Sequence, residues 1–222
     1  KNAWASLTEE LETLAAQGFD AFKARVEQAT GGIVFTGHPT FALSKDLRTA
    51  LADHVVSATK TSRNMLMRQI RADSRAWNQQ ISLQGEHDEV QGAIAHAANA
   101  QLAYATVLIS VARKAFPNEW RSLKIFVPTL ACWVGYDLDG RADIHWSQSL
   151  TFRLTEKAVQ LDRYAAQLES ISGSQKIGPI AKLTQRLKTA SEDTARHAAL
   201  FAADLTDPDN LVPAANALTA HS

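Results

Sequence analysis

The chain has 222 residues, of which 45% are hydrophobic, and its 23 Lys and Arg residues balance its 23 Asp and Glu residues. That length is enough for one domain, or one large subdomain, with a real hydrophobic core. A formal net charge of zero gives no electrostatic argument for binding nucleic acid or an anionic membrane surface, so we expect neither as a partner.

Cysteine usage and hydropathy bear on the cellular compartment. Cys132 is the single cysteine, which excludes an internal disulfide and fits a reducing, cytoplasmic location. The longest strongly apolar stretch, residues 102–112, is about half as long as a bilayer span requires. No charged segment followed by an apolar one opens the chain, so we expect no signal peptide.

Helical spacing of apolar residues dominates the first part of the chain. The pattern from Ser6 to Glu9 is a capping box and predicts the start of a helix. The pair Gly31-Gly32 ends this helical segment. The next run, Ile33-Val34-Phe35-Thr36, is short, rich in β-branched and aromatic residues, and bounded by glycines. It is typical of a buried strand.

Helical patterns continue after this strand. Ser44 is predicted to cap a helix, and a second helix covers the segment from Met65 to Ile70. Residues 84–88 are predicted to form a polar loop. A long alanine-rich helix follows, from about residue 89 to residue 116, where Pro117 stops it.

A second strand is predicted over residues 129–134, between a proline and a glycine. The helical pattern returns from Ile144 and is interrupted by further glycines. The last helix is predicted to run to about Leu205, and the tail from Thr206 is predicted to be a loop because it contains two prolines.

These elements predict a mainly α fold. We expect a helical bundle with two short buried strands, in a single helical domain or subdomain over residues 1–222 that is part of a larger chain. Polar loops that contain glycine follow both strands, at 35–41 and 133–143. In α/β barrels and open parallel sheets, such loops build the active site. Two strands cannot close a barrel, so a barrel would need strands from outside this chain.

The first loop contains a histidine in a stiff backbone frame. Gly37 and Pro39 flank His38 at the predicted strand end. The unperturbed pKa of histidine lies nearest to neutrality among the side chains, so His38 suits proton transfer or the stabilisation of an anion. The alternative is a histidine that is simply hydrogen-bonded in a turn.

The second loop brings two carboxylates and a guanidinium to a strand end, as Asp137, Asp139 and Arg141. These groups could bind a cation, position a substrate or pair with each other. A calcium loop is excluded, because it needs glycine in sixth place and glutamate in twelfth. Counted from Asp137, Gly140 is fourth and Gln148 is twelfth. An Asp-Gly turn with capping carboxylates is the structural alternative.

Taken together, the two loops resemble the phosphoenolpyruvate carboxylase family. That family has a Thr-Ala-His-Pro-Thr-Glu motif at a strand end and, downstream, a Trp-x-Gly-Gly-Asp-Arg-Asp-Gly-Asn-Pro motif before a long helix with a spaced Arg and Tyr. This chain has Thr36-Gly37-His38-Pro39-Thr40-Phe41 and then Trp133-Val134-Gly135-Tyr136-Asp137-Leu138-Asp139-Gly140-Arg141-Ala142. Arg153 and Tyr164 follow in the expected register. The resemblance covers roughly residues 31–168.

The resemblance implies an enzyme, a lyase that carboxylates phosphoenolpyruvate with bicarbonate to give oxaloacetate, which is carbon fixation that supplies the tricarboxylic acid cycle. It implies a catalytic role for His38 in the carboxylation half-reaction. It also implies that Thr40, Asp137, Asp139 and Arg141 bind substrate or shape the pocket. The expected partners are phosphoenolpyruvate, bicarbonate and further copies of the chain in a homo-oligomer. Mg²⁺ or Mn²⁺ would serve the full-length protein, with no metal bound by this segment alone.

The chain departs from the family pattern at charged positions. Phe41 stands in place of the motif glutamate, Leu138 in place of the motif arginine, and Arg141-Ala142 in place of Asn-Pro. The metal-binding acids and phosphate-binding arginines of the family have no counterpart in this chain. We therefore expect the isolated segment to be inactive. The alternative is a non-catalytic domain for regulation or assembly, with a degenerate half of an active site.

Other conspicuous residues are predicted to be structural. Glu86-His87-Asp88-Glu89 looks like a ligand cluster, but adjacent residues do not point at one ion, so we expect a solvated loop. Cys132 is expected to be an inert buried thiol, and Trp133 a core residue. A basic run is expected to line an exposed helix face, with a phosphate or partner contact as the alternative; it comprises Arg63, Arg68, Arg71 and Arg75.

Overall fold

Eight α-helices and two short parallel strands make up the part of the chain that the structure describes, which confirms the mainly α prediction. The structure is a computed structural model, and it describes residues 3–36, 43–73, 82–137, 142, 144–172 and 178–219. The chain divides into two units, Lys1–Val134 and Gly135–Ser222, and each is described by itself.

The first unit contains five helices, both strands and a short 3-10 turn at Trp120–Ser122. They are, in chain order, α1 (Ala3–Ala15), α2 (Phe19–Val26), β1 (Gly32–Phe35), α3 (Lys45–Val56), α4 (Lys60–Asp73), α5 (Leu83–Ala115) and β2 (Thr129–Cys132). The second unit contains α6 (Trp146–Ser172), α7 (Gly178–Ala202) and α8 (Pro208–Thr219).

The core of the first unit forms where the C-terminal half of α5 packs on α1 and α2. Its fully buried members include Phe22 and Leu108. The ring of Phe116, just past the end of α5, lies 5.2 Å from that of Phe19 and 5.4 Å from that of Phe22. Apolar burial of this kind is the main source of stability in a helical unit.

The two strands form a parallel pair whose register joins Gly32 to Thr129 and Phe35 to Cys132. The prediction that the strands are buried is wrong, because most of β1 is exposed and β2 is only half-buried. Alternate residues of a strand face opposite sides, and both sides of β1 are open. The thiol of Cys132 is half-buried rather than buried, and half of Trp133 is exposed rather than in the core.

The predicted polar loop at residues 84–88 is instead the first turn of α5. The hydroxyl of Ser82 caps this helix by accepting a hydrogen bond from the backbone N–H of Gly85, at 3.1 Å. Capping and acidic residues are favoured at the start of a helix, so the composition of this first turn resembles that of a polar loop. At α3 the predicted cap is confirmed, since Ser44 accepts a hydrogen bond from the N–H of Leu47 at 3.2 Å.

The N-terminal boundary of α1 also differs from the prediction. Ser6 was expected to cap the helix, but the helix already includes Ala3. The hydroxyl of Thr8 donates to the carbonyl of Trp4 at 2.8 Å, a local bond that is common inside helices.

In the second unit, α6 and α7 form the main helix pair. The hydroxyl of Ser191 in α7 donates to the carbonyl of Ala158 in α6 at 2.9 Å, and this bond is buried. The predicted loop after Thr206 is wrong, because α8 forms there. The carboxylate of Asp207 accepts the N–H of Asp209 at 3.0 Å, and Pro208 occupies the first helical position, where proline is favoured.

One helix, α5, has the length and mean hydropathy (1.3 over an 18-residue window) of a segment that could cross a membrane. Long core helices of soluble proteins have the same length and hydropathy, but most of such a helix is buried. Here 11% of the window is buried in the structure.

Candidate functional site

The carboxyl ends of the two strands meet at one edge of the sheet. Phe35 and Cys132 are opposite each other in the register, and the N–H of Trp133 donates to the carbonyl of Phe35 at 2.9 Å. Both strands therefore release their following loops at the same edge. This is the edge at which open parallel sheets and barrels place their sites.

Helix α5 contacts both strands. The side-chain amide of Gln101 donates to the carbonyl of Pro128, just before β2 begins. Near the start of α3, Arg48 contacts Glu89 of α5. From Glu89 to Gln101 the helix rises ~18 Å, so these two contacts lie far apart along α5.

Two ionisable side chains are buried in the first third of α5. Glu86 is 5% exposed and His87 is 1% exposed. The Nε2 atom of His87 lies 3.4 Å from the side-chain nitrogen of Gln91, and its Nδ1 atom lies 3.9 Å from the carboxylate of Asp88. The prediction of a solvated loop here is wrong, because the packing of the helix buries two of its polar residues.

An ion pair crosses from α3 to α5 beside these buried groups. The guanidinium of Arg48 donates to the carboxylate of Glu89 at 2.5 Å, with the two side chains 23% and 40% exposed. This ion pair joins the start of α3 to the first third of α5. The sequence pattern does not indicate this contact, because it joins residues 41 positions apart; the burial of Glu86 is likewise a property of the tertiary fold.

Most of the residues assigned by the resemblance lie outside the described residues. These are His38, Thr40, Asp139 and Arg141. Asp137 is described, belongs to the second unit and is half-buried.

The start of the second loop is fixed against α6 within the second unit. Gly135 has φ +86°, and a Cβ atom added to it would lie 2.4 Å from the ring of Phe152. Only glycine fits both the left-handed backbone and the close approach. The hydroxyl of Ser149 donates to the carbonyl of Gly135 at 2.6 Å, and the hydroxyl of Tyr136 donates to the carboxylate of Glu156 at 3.5 Å. These contacts fix the backbone at Gly135 and Tyr136, just before Asp137.

The described residues do not assemble a metal site. Within them, no three His, Cys, Asp or Glu side chains form a group that could hold an ion. We therefore assign no ligand of Mg²⁺ or Mn²⁺ to the described residues.

The start of α3 and the first third of α5 form a polar cluster within the first unit. It combines the Arg48–Glu89 ion pair with the buried side chains of Glu86 and His87. Arginine recognises carboxylate and phosphate groups through its fixed donor geometry. Comparison with protein-family models, with curated proteins and with solved structures gives no match to the chain.

Proposed function

We propose that this chain supplies the half of a phosphoenolpyruvate carboxylase-like active site that carries His38. The complete site would carboxylate phosphoenolpyruvate with bicarbonate, through carboxyphosphate and an enolate, to give oxaloacetate and phosphate. The isolated chain would be inactive, because the residues that hold the metal and the phosphate would come from elsewhere in the protein.

The observation that supports this proposal most is the parallel register of β1 and β2. Phe35 and Cys132 end their strands side by side, and the two motif-bearing loops follow these residues directly in the sequence. A pair of motifs that both begin at one sheet edge is what a shared site requires. The exposed faces of β1 also fit a sheet that other parts of a larger protein cover, since parallel sheets are normally covered on both faces.

The role of His38 follows from its chemistry and its frame. An imidazolium can hold a developing negative charge, and a neutral imidazole can accept a proton, at a pH near neutrality. Pro39 restricts the backbone around it, because proline fixes its own φ and disfavours the α region for the residue before it. In the carboxylation half-reaction, His38 would stabilise the anionic carboxyl donor while the enolate carbon forms the new bond. Thr40, Asp137, Asp139 and Arg141 keep their proposed places in the pocket by the resemblance alone.

A second function is favoured by a specific feature of the sequence. Phe41 and Leu138 stand where the family pattern has charged residues, and an apolar side chain cannot bind an anion. This chain would then be a regulatory or assembly domain that keeps the fold while its site has degenerated.

The deciding experiment is an assay of the full-length protein. We expect oxaloacetate formation that requires bicarbonate, phosphoenolpyruvate and either Mg²⁺ or Mn²⁺, measured through NADH oxidation by malate dehydrogenase. His38→Asn should abolish oxaloacetate formation. The matched control is His96→Asn, which alters an exposed histidine of α5 and should leave turnover unchanged.

Two results would overturn parts of this proposal. A folded full-length protein that forms no oxaloacetate with either metal would exclude the catalytic function and favour the assembly domain. Near-normal turnover in His38→Asn would exclude the role of His38 while leaving the reaction in place.

A further inference from the structure

The C-terminal end of α3, just before the turn to α4, presents two valines to solvent. Val55 is 82% exposed and Val56 is 87% exposed, which makes them the most exposed large hydrophobic residues in the part of the chain that the structure describes. An isolated exposed valine is ordinary, but two adjacent ones at the end of a helical hairpin form an apolar knob. We call residues 53–63 the hairpin tip.

A hydrogen-bond network holds the hairpin tip in one conformation. The hydroxyl of Thr59 accepts the N–H of Ser62, and the hydroxyl of Ser62 accepts the N–H of Thr59, both at 3.1 Å. This is a reciprocal cap at the start of α4. The Nδ1 atom of His54 lies 3.0 Å from the same Ser62 hydroxyl and ties α3 to it. A rigid knob loses little conformational entropy when it docks.

Basic residues surround the knob and continue along α4. Lys60 and Arg63 are exposed within the hairpin tip, where Asp53 is the acidic residue. Further along, α4 adds Arg68 and Arg71. Residues 60–72 of α4 include four basic residues and no acidic one, so this helix of the hairpin is positively charged.

Helix α8 of the second unit has an exposed apolar surface with acidic residues beside it, which complements the apolar and basic hairpin tip. Leu211, Val212, Ala215 and Leu218 are all exposed, and their spacing of one, four and seven residues places them on one side of the helix. The adjoining side is buried at Ala214 and Ala217, so this exposed apolar stripe is additional to the face that packs on the unit. We call the four exposed residues the α8 stripe.

The α8 stripe has an acidic rim. Asp204, Asp207 and Asp209 are exposed just before and at the start of α8, and the segment from residue 198 to residue 219 contains no lysine or arginine. Hydrogen bonds from the hydroxyl and then the backbone N–H of Thr206 lower the pKa of Asp204. These hydrogen bonds favour the charged form of the Asp204 carboxylate.

We propose that the hairpin tip of one copy of this chain docks on the α8 stripe of a second copy. Val55 and Val56 pack against the apolar stripe, while Lys60 and Arg63 face the acidic rim. If a two-fold axis relates the copies, the contact forms twice and the assembly closes as a dimer.

A second copy is favoured over other occupants because this chain itself carries both halves of the contact. Each surface is apolar at its centre and charged at its margin, and the two margins have opposite signs. This is the arrangement of specific protein interfaces, in which charge steers and orients partners while apolar contacts supply most of the affinity.

The apolar part is tested by sedimentation velocity over a range of protein concentrations. We expect the native chain to associate as its concentration rises. The double variant Val55→Ser/Val56→Ser should have a dissociation constant at least about tenfold higher. The matched control is Ile171→Ser on α6, where the native side chain is 74% exposed but lies outside both surfaces. A chain that stays monomeric throughout, or a control that weakens association equally, would overturn the proposal.

The charged part is tested by exchanging the two signs. Lys60→Glu and Asp209→Lys should each weaken self-association, and an equimolar mixture of the two variants should regain it, because opposite charges then face each other between copies. Failure of the mixture to associate more strongly than either variant alone would overturn the contact. The native association should also weaken with salt, as the Debye length falls from ~10 Å at 0.1 M to ~3 Å at 1 M.

A membrane is the other surface that an apolar, basic knob could meet. In flotation with vesicles that contain phosphatidylserine, we expect the native chain to stay at the bottom of the gradient. Flotation that the double valine variant abolishes would replace the second copy with a lipid surface and overturn the proposal.

Discussion

The two ends of α5 are buried in different ways. The C-terminal half buries Leu108 and its neighbours against α1 and α2, whereas the first third buries Glu86 and His87. An apolar side chain gains stability from burial without a partner, but a buried ionisable group must be paired to avoid a penalty. The first third also buries the apolar side chains of Leu83 and Val90, so apolar burial stabilises both ends of the helix. The comparison teaches that only the first third adds buried ionisable groups to this apolar burial.

The largest effect is expected at the apolar end. Leu108→Ala should lower the free energy of opening of α5 by about 2–5 kcal/mol, because it leaves a cavity in a fully buried site. Native-state hydrogen exchange of peptides from α5 measures this. The control is Leu102→Ala on the same helix, where half of the side chain is exposed and about 0.5 kcal/mol or less should be lost. Equal losses would contradict the division of α5.

A smaller effect is expected at the polar end. Glu86→Ala should cost about 1–3 kcal/mol, because it removes a buried polar side chain together with the interaction that this side chain makes. Glu86→Gln keeps the size and one acceptor of the side chain, and should recover most of that loss in the same exchange experiment. Equal losses in the two variants would contradict this prediction, because neither the size of the side chain nor its remaining acceptor would then stabilise this end.

The smallest effect is expected for the ion pair between α3 and α5. A double-mutant cycle of Arg48→Met and Glu89→Gln should give a coupling energy of about 1 kcal/mol or less, because both side chains are partly exposed. Urea denaturation followed by circular dichroism measures it. A coupling of several kcal/mol would show that this end contributes to stability as strongly as the core.

Periodicity predicted the helices and the two strands, because apolar spacing reports which side of an element meets a core. It failed where polar residues belong to helix ends. The polar first turn of α5 and the Asp207-Pro208 pair before α8 both look like loops, yet each starts a helix. Aspartate as a cap and proline in first position satisfy the helix end. The same residue types are common in turns.

The candidate site was predicted only in part. The stiff frame of His38 and the strand ends are local features that a sequence shows. The position of Arg48 against α5 and the burial of Glu86 depend on tertiary packing between segments far apart in the chain. Burial of the strands was predicted wrongly, since a β-branched run indicates a strand but not how many layers cover it.

The β1–β2 pair has a consequence for the order of folding. Its strands come from distant parts of the chain; beside them, the carboxylate of Glu27 accepts the N–H of Lys124 across 97 residues. Contacts of such sequence separation form only after a long loop has closed, and they slow folding. The contacts of α1 and α2 with α5 span a similar separation, as between Glu12 and Lys114, but they bury the apolar core of the unit. We therefore expect the strands to pair late, on a helical template, which leaves the edge of β1 open to other chains during synthesis.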